Sequence, residues 1–296
     1  MLQKACRRKS RIRLGLSSVS GGGKTYSALL IAKGLANGDL ARVAVIDTEN
    51  GSADLYADLG PYQVLRITPP YTPERYTEAI SFCEKAGMEV IIIDSISHEW
   101  EGKGGVLEMA EAQGGQFQSA WKGLTPRHES FKQAILQSSC HMITTVRRKQ
   151  DYVLQEKVNK SGKVVQAPVK VGLKEVTREG WEYELTINLE LELNHFATAS
   201  KDRTGLFMGK PSFIPSEETG RLIAAWCNEG QEPLSIAQRV GECKSLGELL
   251  ELFHAVEIKD EDTLTVFSTR KDEIQRNHII SLQNDKSNGT TSAAIQ

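Results

Sequence analysis

Residues Ser18 to Tyr26 read Ser-Val-Ser-Gly-Gly-Gly-Lys-Thr-Tyr. Their types and order suit the binding of a polyphosphate. Glycines let successive backbone N–H groups turn toward phosphate oxygens with no Cβ in the way. Lys24 then reaches the β- and γ-phosphates, and the Thr25 hydroxyl is placed to ligate Mg²⁺. The pattern G-x-x-x-x-G-K-[ST] wants glycine at position 18, where this chain has Ser18, a residue small enough for the turn. The cofactor-binding set is thus Ser18, Val19, Ser20, Gly21, Gly22, Gly23, Lys24, Thr25 and Tyr26, with ATP and Mg²⁺ as the expected ligands.

Such a loop works between a strand and a helix. Before it, RIRLGL from Arg11 alternates basic and apolar residues, a strand pattern. After it, Ala28, Ile31, Ala32 and Leu35 recur at the spacing of one helix face, so a helix N-terminus faces the same anion. The loop also needs an acid at the end of a buried strand. VIIIDS, from Val90, supplies four β-branched residues and then Asp94, at the strand end where open α/β sheets bind ligands. Asp94 joins Thr25 as a metal-ligating candidate and is counted among the catalytic residues with Lys24.

RVAVIDTE, from Arg42, is another strand ending in acids. Glu49 either polarises an attacking water as a general base or, with Asp47, caps the turn before Asn50-Gly51. A further strand, Cys140–Val146, follows a helix predicted over roughly 125–138 that opens at Thr125-Pro126. Thr144 or Thr145 on it is the candidate γ-phosphate sensor. Strands alternating with helices to this point predict an α/β fold with a mainly parallel sheet flanked by helices.

The texture then changes. Residues 147–178 hold nine basic and three acidic residues, a local +6 in a chain of net charge −2. Asn159-Lys160-Ser161-Gly162 reads as a hairpin turn, and Tyr152 interrupts the charges. A basic ribbon with an aromatic beside it suits a phosphodiester backbone. Arg147, Arg148, Lys149, Lys157, Lys160 and Lys163 are its DNA-binding candidates. A solvated surface hairpin is the alternative. Trp181–Leu193 alternates strictly and predicts antiparallel strands with one solvated face. A strand through Ala197–Phe207 would put Lys201 and Arg203 on one face, as paired cations for γ-phosphate charge.

Composition sets the limits. The chain has 296 residues, ordinary hydrophobic content and no overall charge bias toward nucleic acid, so any basic surface is local. Its five cysteines are scattered without a C-x-x-C pair, which supports neither a zinc site nor a disulfide framework and points to a reducing, cytosolic compartment. No uncharged apolar run approaches the roughly 18–20 residues of a membrane span. The expected divisions are a basic tail over 1–13, the main domain over 14–229, a helical appendage over 230–283 and a disordered tail over 284–296. The appendage carries an apolar stripe of Leu246, Leu249, Leu250 and Phe253. It is either a partner-docking module or a small lid.

Taken in order, SVSGGGKTYSAL, VAVIDTENGSA, VIIIDSIS, HMITTVRRK and ATASKDRTGLF resemble the RecA-like P-loop ATPases encoded by bacteriophages, over about residues 10 to 228. The resemblance implies a RecA-like core with an antiparallel extension and an ATPase acting on single-stranded DNA in phage recombination or replication. It implies the activating glutamate role for Glu49. The KDRTG stretch is similar to an element of hexameric replicative helicases, which implies that Lys201 and Arg203 enter a neighbour's ATP site in a homo-oligomer. It further implies the cytoplasm of an infected or lysogenic bacterial host, and a phage or host replication or recombination protein as partner of the appendage. Two other readings stay open: a P-loop kinase of a small molecule or nucleotide, and a non-catalytic adaptor whose oligomeric state ATP switches.

Overall fold

The computed structural model describes residues 6–112, 117–158, 164–231, 234–256 and 260–290. For 117–120, 152–158, 164–171 and 278–290 it describes the backbone alone. The described chain forms two compact units, Ser10–Glu229 and the residues before and after that span.

The larger unit is an eight-stranded sheet in the order β3-β2-β4-β5-β1-β7-β8, with β6 paired to β5. Its strands are β1 (Arg13–Ser18), β2 (Val43–Asp47), β3 (Gln63–Arg66), β4 (Val90–Asp94), β5 (His141–Val158), β6 (Val164–Glu175), β7 (Ile187–Leu191) and β8 (Ala197–Asp202). The strands from β3 to β7 along this order run parallel, while β8 is antiparallel to β7 and β6 to β5. Helices cover both faces, which is why VIIID is apolar throughout rather than alternating. Val90 and Ile92 pack toward α1 (Lys24–Leu35) with Ala28, Ile31 and Ala32. Ile91 and Ile93 pack toward α2 (Pro73–Lys85) and α5 (Phe117–Gln137), against Tyr76, Ile80 and Phe131.

Helix α1 is braced by α7 (Glu217–Asn228) at a close backbone approach. A Cβ on Gly34 would lie 2.0 Å from the Glu217 carbonyl oxygen, and one on Gly220 would lie 2.1 Å from that of Ile31. Only glycine fits at either position.

Several expectations are corrected. The alternating segment from Trp181 is antiparallel only where it meets β8, and its strand lacks the expected solvated face. It opens with a helical turn, α6 (Trp181–Glu184), and continues as β7, antiparallel to β8 but parallel to β1, and buried except for a half-exposed Glu190. The polar residues within β7 have protein partners: Asn188 donates to Glu175 and Ser200, and Glu190 pairs with Arg148. Helix α5 opens at Phe117, not Thr125, and holds Pro126 in its interior. Buried Leu124, Phe131 and Ile135 on either side of that proline offset its helix penalty, ordinarily about 3 kcal/mol.

The basic tail does not extend to residue 13. Ile12 is fully buried, and the Arg13 guanidinium is inserted among the carbonyls of Ile12, Leu136, Ser138 and Cys140. The hydrogen bonds satisfy a cation that burial pulls down to about 10. The edge strand β3 is a finding of the structure, because its short polar sequence QVLR carries no strand pattern.

In the smaller unit, α8 (Ile236–Glu242), α9 (Leu246–Ala255) and α10 (Glu261–Thr290) gather around Val240, Leu249, Val256 and Phe267. Leu249 of the predicted stripe is buried, whereas Leu246 and Leu250 are exposed. Helix α10 runs through Thr290, so the tail expected to be disordered from 284 is helical for its first part. With no proline from 261 to 290, an established helix adds each residue at little cost. The hairpin turn read at 159–162 lies outside the described residues.

Candidate nucleotide site

The loop after β1 closes on itself tightly. Gly21 and Gly23 have φ of 84° and 79°, the left-handed region that glycine adopts without penalty. Gly22 is required for another reason. Its Cβ would fall 1.8 Å from the Ser18 hydroxyl, so the serine that replaces the usual glycine fills the space in front of it. Gly23 ends the loop and starts α1. His195, itself at φ 67° in the β7–β8 turn, sits against Gly23 and lines the cleft.

Lys24 folds back, donating to the carbonyls of Ser18 (3.2 Å) and Val19 (3.1 Å). Burial lowers its pKa. A partly desolvated ammonium held only by neutral carbonyls is poised for an anion. Thr25 donates to Asp94 Oδ2 at 2.5 Å and Thr145 to Asp94 Oδ1 at 2.5 Å. Asp94 is 1% exposed, and burial pushes its carboxyl up. The facing hydroxyl of Thr25 and carboxylate of Asp94 are hard oxygen donors and fit Mg²⁺, which takes one or two carboxylates, phosphate oxygens and waters rather than a full protein cage. Among the described residues no cluster of three His, Cys, Asp or Glu forms such a cage. When bound, the ion would be held by Thr25 and Asp94 and would neutralise phosphate charge.

The two acids after β2 divide their work. Asp47 caps the turn, accepting from the backbone N–H of Glu49 (2.7 Å) and of Ala53 (3.2 Å). Glu49 instead enters the cleft. Its Oε1 accepts from Ser95 Oγ at 2.8 Å and from Arg147 Nε at 2.8 Å, and its Oε2 takes the second Arg147 bond. Burial pushes the Glu49 carboxyl up, but the Arg147 and Ser95 hydrogen bonds and the Arg147 charge outweigh it and leave it below its ordinary value. Thr48 ties these parts together, accepting from the Ser95 N–H and contacting His98 Nδ1 at 2.9 Å. On the far side of Thr25, Tyr26 and Tyr56 meet with ring centroids 5.5 Å apart, an aromatic wall of the same cleft.

The cleft therefore brings together Ser20, Gly21, Gly23, Lys24, Thr25, Tyr26, Glu49 and Asp94. Thr145, of the two sensor candidates, touches Asp94, while Thr144 bonds the Leu14 carbonyl. Lys201 and Arg203 do not line this cleft. They share one direction, as read from their spacing, but both donate to the Tyr183 carbonyl, Arg203 at 2.9 Å.

The first three DNA-binding candidates face acids: Arg147 on Glu49, Arg148 on Glu190 at 2.7 Å and Lys149 on Glu101 at 2.6 Å. All three also line the nucleotide cleft. Of the other three, Lys157 is described in backbone only, and Lys160 and Lys163 lie outside the described residues. Sequence reasoning missed Arg147, Ser95 and His195 as parts of the site. Arg147 is the last residue of β5 paired with β1, and Ser95 follows the carboxyl end of β4, so the strand-end rule could have found both. His195 reaches the loop only through the β7–β8 turn and has no local signal.

A glycine-rich loop between strand and helix, a strand-end aspartate at its threonine and a mostly parallel sheet define a P-loop NTPase core. A family model described as AAA domain matches residues 10–213, over half of the chain. The chain belongs to this AAA-type family of P-loop ATPases. No curated protein matches it.

Proposed function

We propose that this chain hydrolyses ATP with Mg²⁺ and couples the reaction to single-stranded DNA in bacteriophage recombination or replication. The observation that carries the hydrolytic part is Glu49, a carboxylate in the same cleft as Lys24, Thr25 and Asp94. An adaptor that only bound ATP would not need it. In the reaction the loop N–H groups and Lys24 hold the phosphates, and Lys24 leaves the carbonyls of Ser18 and Val19 to do so. The triphosphate competes for Arg147, which frees Glu49 to take a proton from the attacking water. The Tyr26–Tyr56 wall offers the adenine ring of ATP an apolar face.

The DNA part is supported by the +6 ribbon, and the trans role of Lys201 and Arg203 by their placement away from their own cleft. In this reading the copies form a homo-oligomer, each completing its neighbour's ATP site. The helical unit beyond residue 229 docks a phage or host replication or recombination protein, in the cytoplasm of the bacterial host. Among the described residues no helix is long and apolar enough to cross a membrane.

The test is steady-state ATP hydrolysis with and without single-stranded DNA, at low and at raised salt. Stimulation that fades as salt rises is expected, since phosphate contacts release counterions. Hydrolysis unaffected by DNA removes the DNA reading. Transfer of the γ-phosphate to an added acceptor instead of water favours a kinase.

A further inference from the structure

The chain has four tryptophans, and two of them meet outside the nucleotide cleft. Trp100, in α3 (Ser97–Glu101), and Trp121, in α5, have ring centroids 5.7 Å apart, tilted by 34°. Both rings are half-buried. They line a second cleft at the root of the β5–β6 ribbon, whose other charged lining is Lys149, Lys174 and Arg178 interleaved with Glu101, Asp151, Glu175 and Glu179. Trp100 is anchored by an edge contact with buried His128, ring centroids 5.7 Å apart, while part of the apolar area of both tryptophans stays in water at the mouth of the cleft.

The ribbon gives the second observation. β5 pairs with β1 only as far as Arg147, and from the Arg148–Glu175 pair outward it pairs with β6 alone. The described part of this basic segment therefore continues past the sheet as a two-stranded ribbon from the edge of the tryptophan cleft. Cations beside flat aromatic faces match a single strand of nucleic acid: its phosphates follow the charge and its bases stack on the rings. A duplex keeps its base faces hidden and would meet the charge alone. The rim ion pairs do not oppose this. Lys149 lies 2.6 Å from Glu101 and Lys174 lies 2.5 Å from Glu179, with the lysine side chains 63% and 53% exposed. Pairs so exposed are weak, and a phosphate can replace the carboxylate.

The same segment reaches the ATP site. Between Asp94 and Trp100, Ser95 donates to Glu49 and Ser97 accepts from the Arg147 N–H at 2.9 Å. A base seated on Trp100 thus bears on the residues that hold Glu49. We propose that the Trp100–Trp121 pair is a base-stacking platform for single-stranded DNA. The inference rests on the reading that the chain acts on such DNA.

The test titrates the full chain with a fluorescein-labelled oligothymidylate, read by anisotropy, beside Trp121→Leu, Trp121→Phe and Trp100→Leu. Leucine keeps apolar bulk and loses the stacking face, so each leucine variant should bind roughly five- to a hundredfold more weakly. Phenylalanine should recover most of the loss, and hydrolysis without DNA should be unchanged in Trp121→Leu. Wild-type binding by both leucine variants overturns the platform and leaves the single-strand reading standing. Absence of binding by the wild-type chain at low salt overturns both. Should the leucine variants lose basal hydrolysis, the wild-type tryptophan emission decides: quenching on binding supports stacking, and binding without quenching overturns it.

Discussion

Glu49 and Arg147 form a two-bond pair inside the nucleotide cleft, with Arg147 Nε 2.8 Å from Glu49 Oε1 and Nη2 on Oε2. Arg147, with Ser95, keeps the carboxyl low against the opposing effect of burial. Arg147→Ala removes both its hydrogen bonds and its charge, and the Glu49 pKa rises. A base works only when deprotonated, so the acid limb of the hydrolysis profile should move to higher pH in the variant. The measurement is kcat/KM against pH for both proteins, a ratio that reports groups in the free enzyme, where the pair is intact. An unmoved limb would mean that Glu49 does not set it.

Glu49→Gln keeps the size and one acceptor of the side chain but cannot take a proton. Hydrolysis should fall by about 10²–10⁴, the usual worth of a general base. Binding of a non-hydrolysable ATP analogue should change little, because Lys24, the loop N–H groups and Thr25 stay in place. Turnover and equilibrium binding measured on one preparation separate the two. Lost binding would make Glu49 a structural anchor for Arg147.

Lys201 and Arg203 both rest on the Tyr183 carbonyl, away from their own phosphate loop. If they serve a neighbour, each of two dead variants still holds the part the other lacks. Arg203→Ala retains a complete loop, and Lys24→Ala retains its finger. Each alone should hydrolyse ATP poorly, and a mixture should recover part of the activity. The assay is hydrolysis across mixing ratios at constant total protein. A mixture no better than the sum of its parts argues against fingers in trans.

What could be read in the sequence follows the range of each interaction. The loop at Ser18–Thr25 and the strand VIIID are local patterns, and the chain order strand–loop–helix is enough to place them. Glu49 is legible as an acid at a strand end, but its division of labour with Asp47 depends on where the backbone N–H of Ala53 comes to lie. The alternation in Trp181–Leu193 misleads, because Asn188 and Glu190 find partners on β6, β8 and β5 that no local window contains. Arg147 is misread for the same reason. Charge counting assigns it to an outside phosphate, whereas the fold sets Glu49 beside it. Arg13 shows the converse, a basic residue in a basic tail that the fold buries among carbonyls.

His141 opens β5 beneath the sheet's lower edge, and its Nδ1 accepts the Ile12 N–H at 3.2 Å. That bond needs the neutral ring. Burial, with the nearby charges of Arg11 and Arg13, lowers its pKa from 6.5 to about 3. The sign follows from the folded value lying below the unfolded one. At a pH between them the unfolded chain binds a proton that the folded chain refuses, so this residue costs stability increasingly as pH falls from 6.5 to about 3. The slope from one such group is about 1.4 kcal/mol per pH unit at most. Buried carboxyls such as Asp94 and Glu99, held high by burial, work in the opposite direction, so the wild-type curve alone does not isolate the effect. His141→Asn does. Its side-chain oxygen can still accept from Ile12, and it does not titrate. Denaturant unfolding of both proteins across this range should show the wild type losing its advantage over the variant as pH falls. Curves that stay parallel would mean that His141 takes up its proton equally in the folded and unfolded chains.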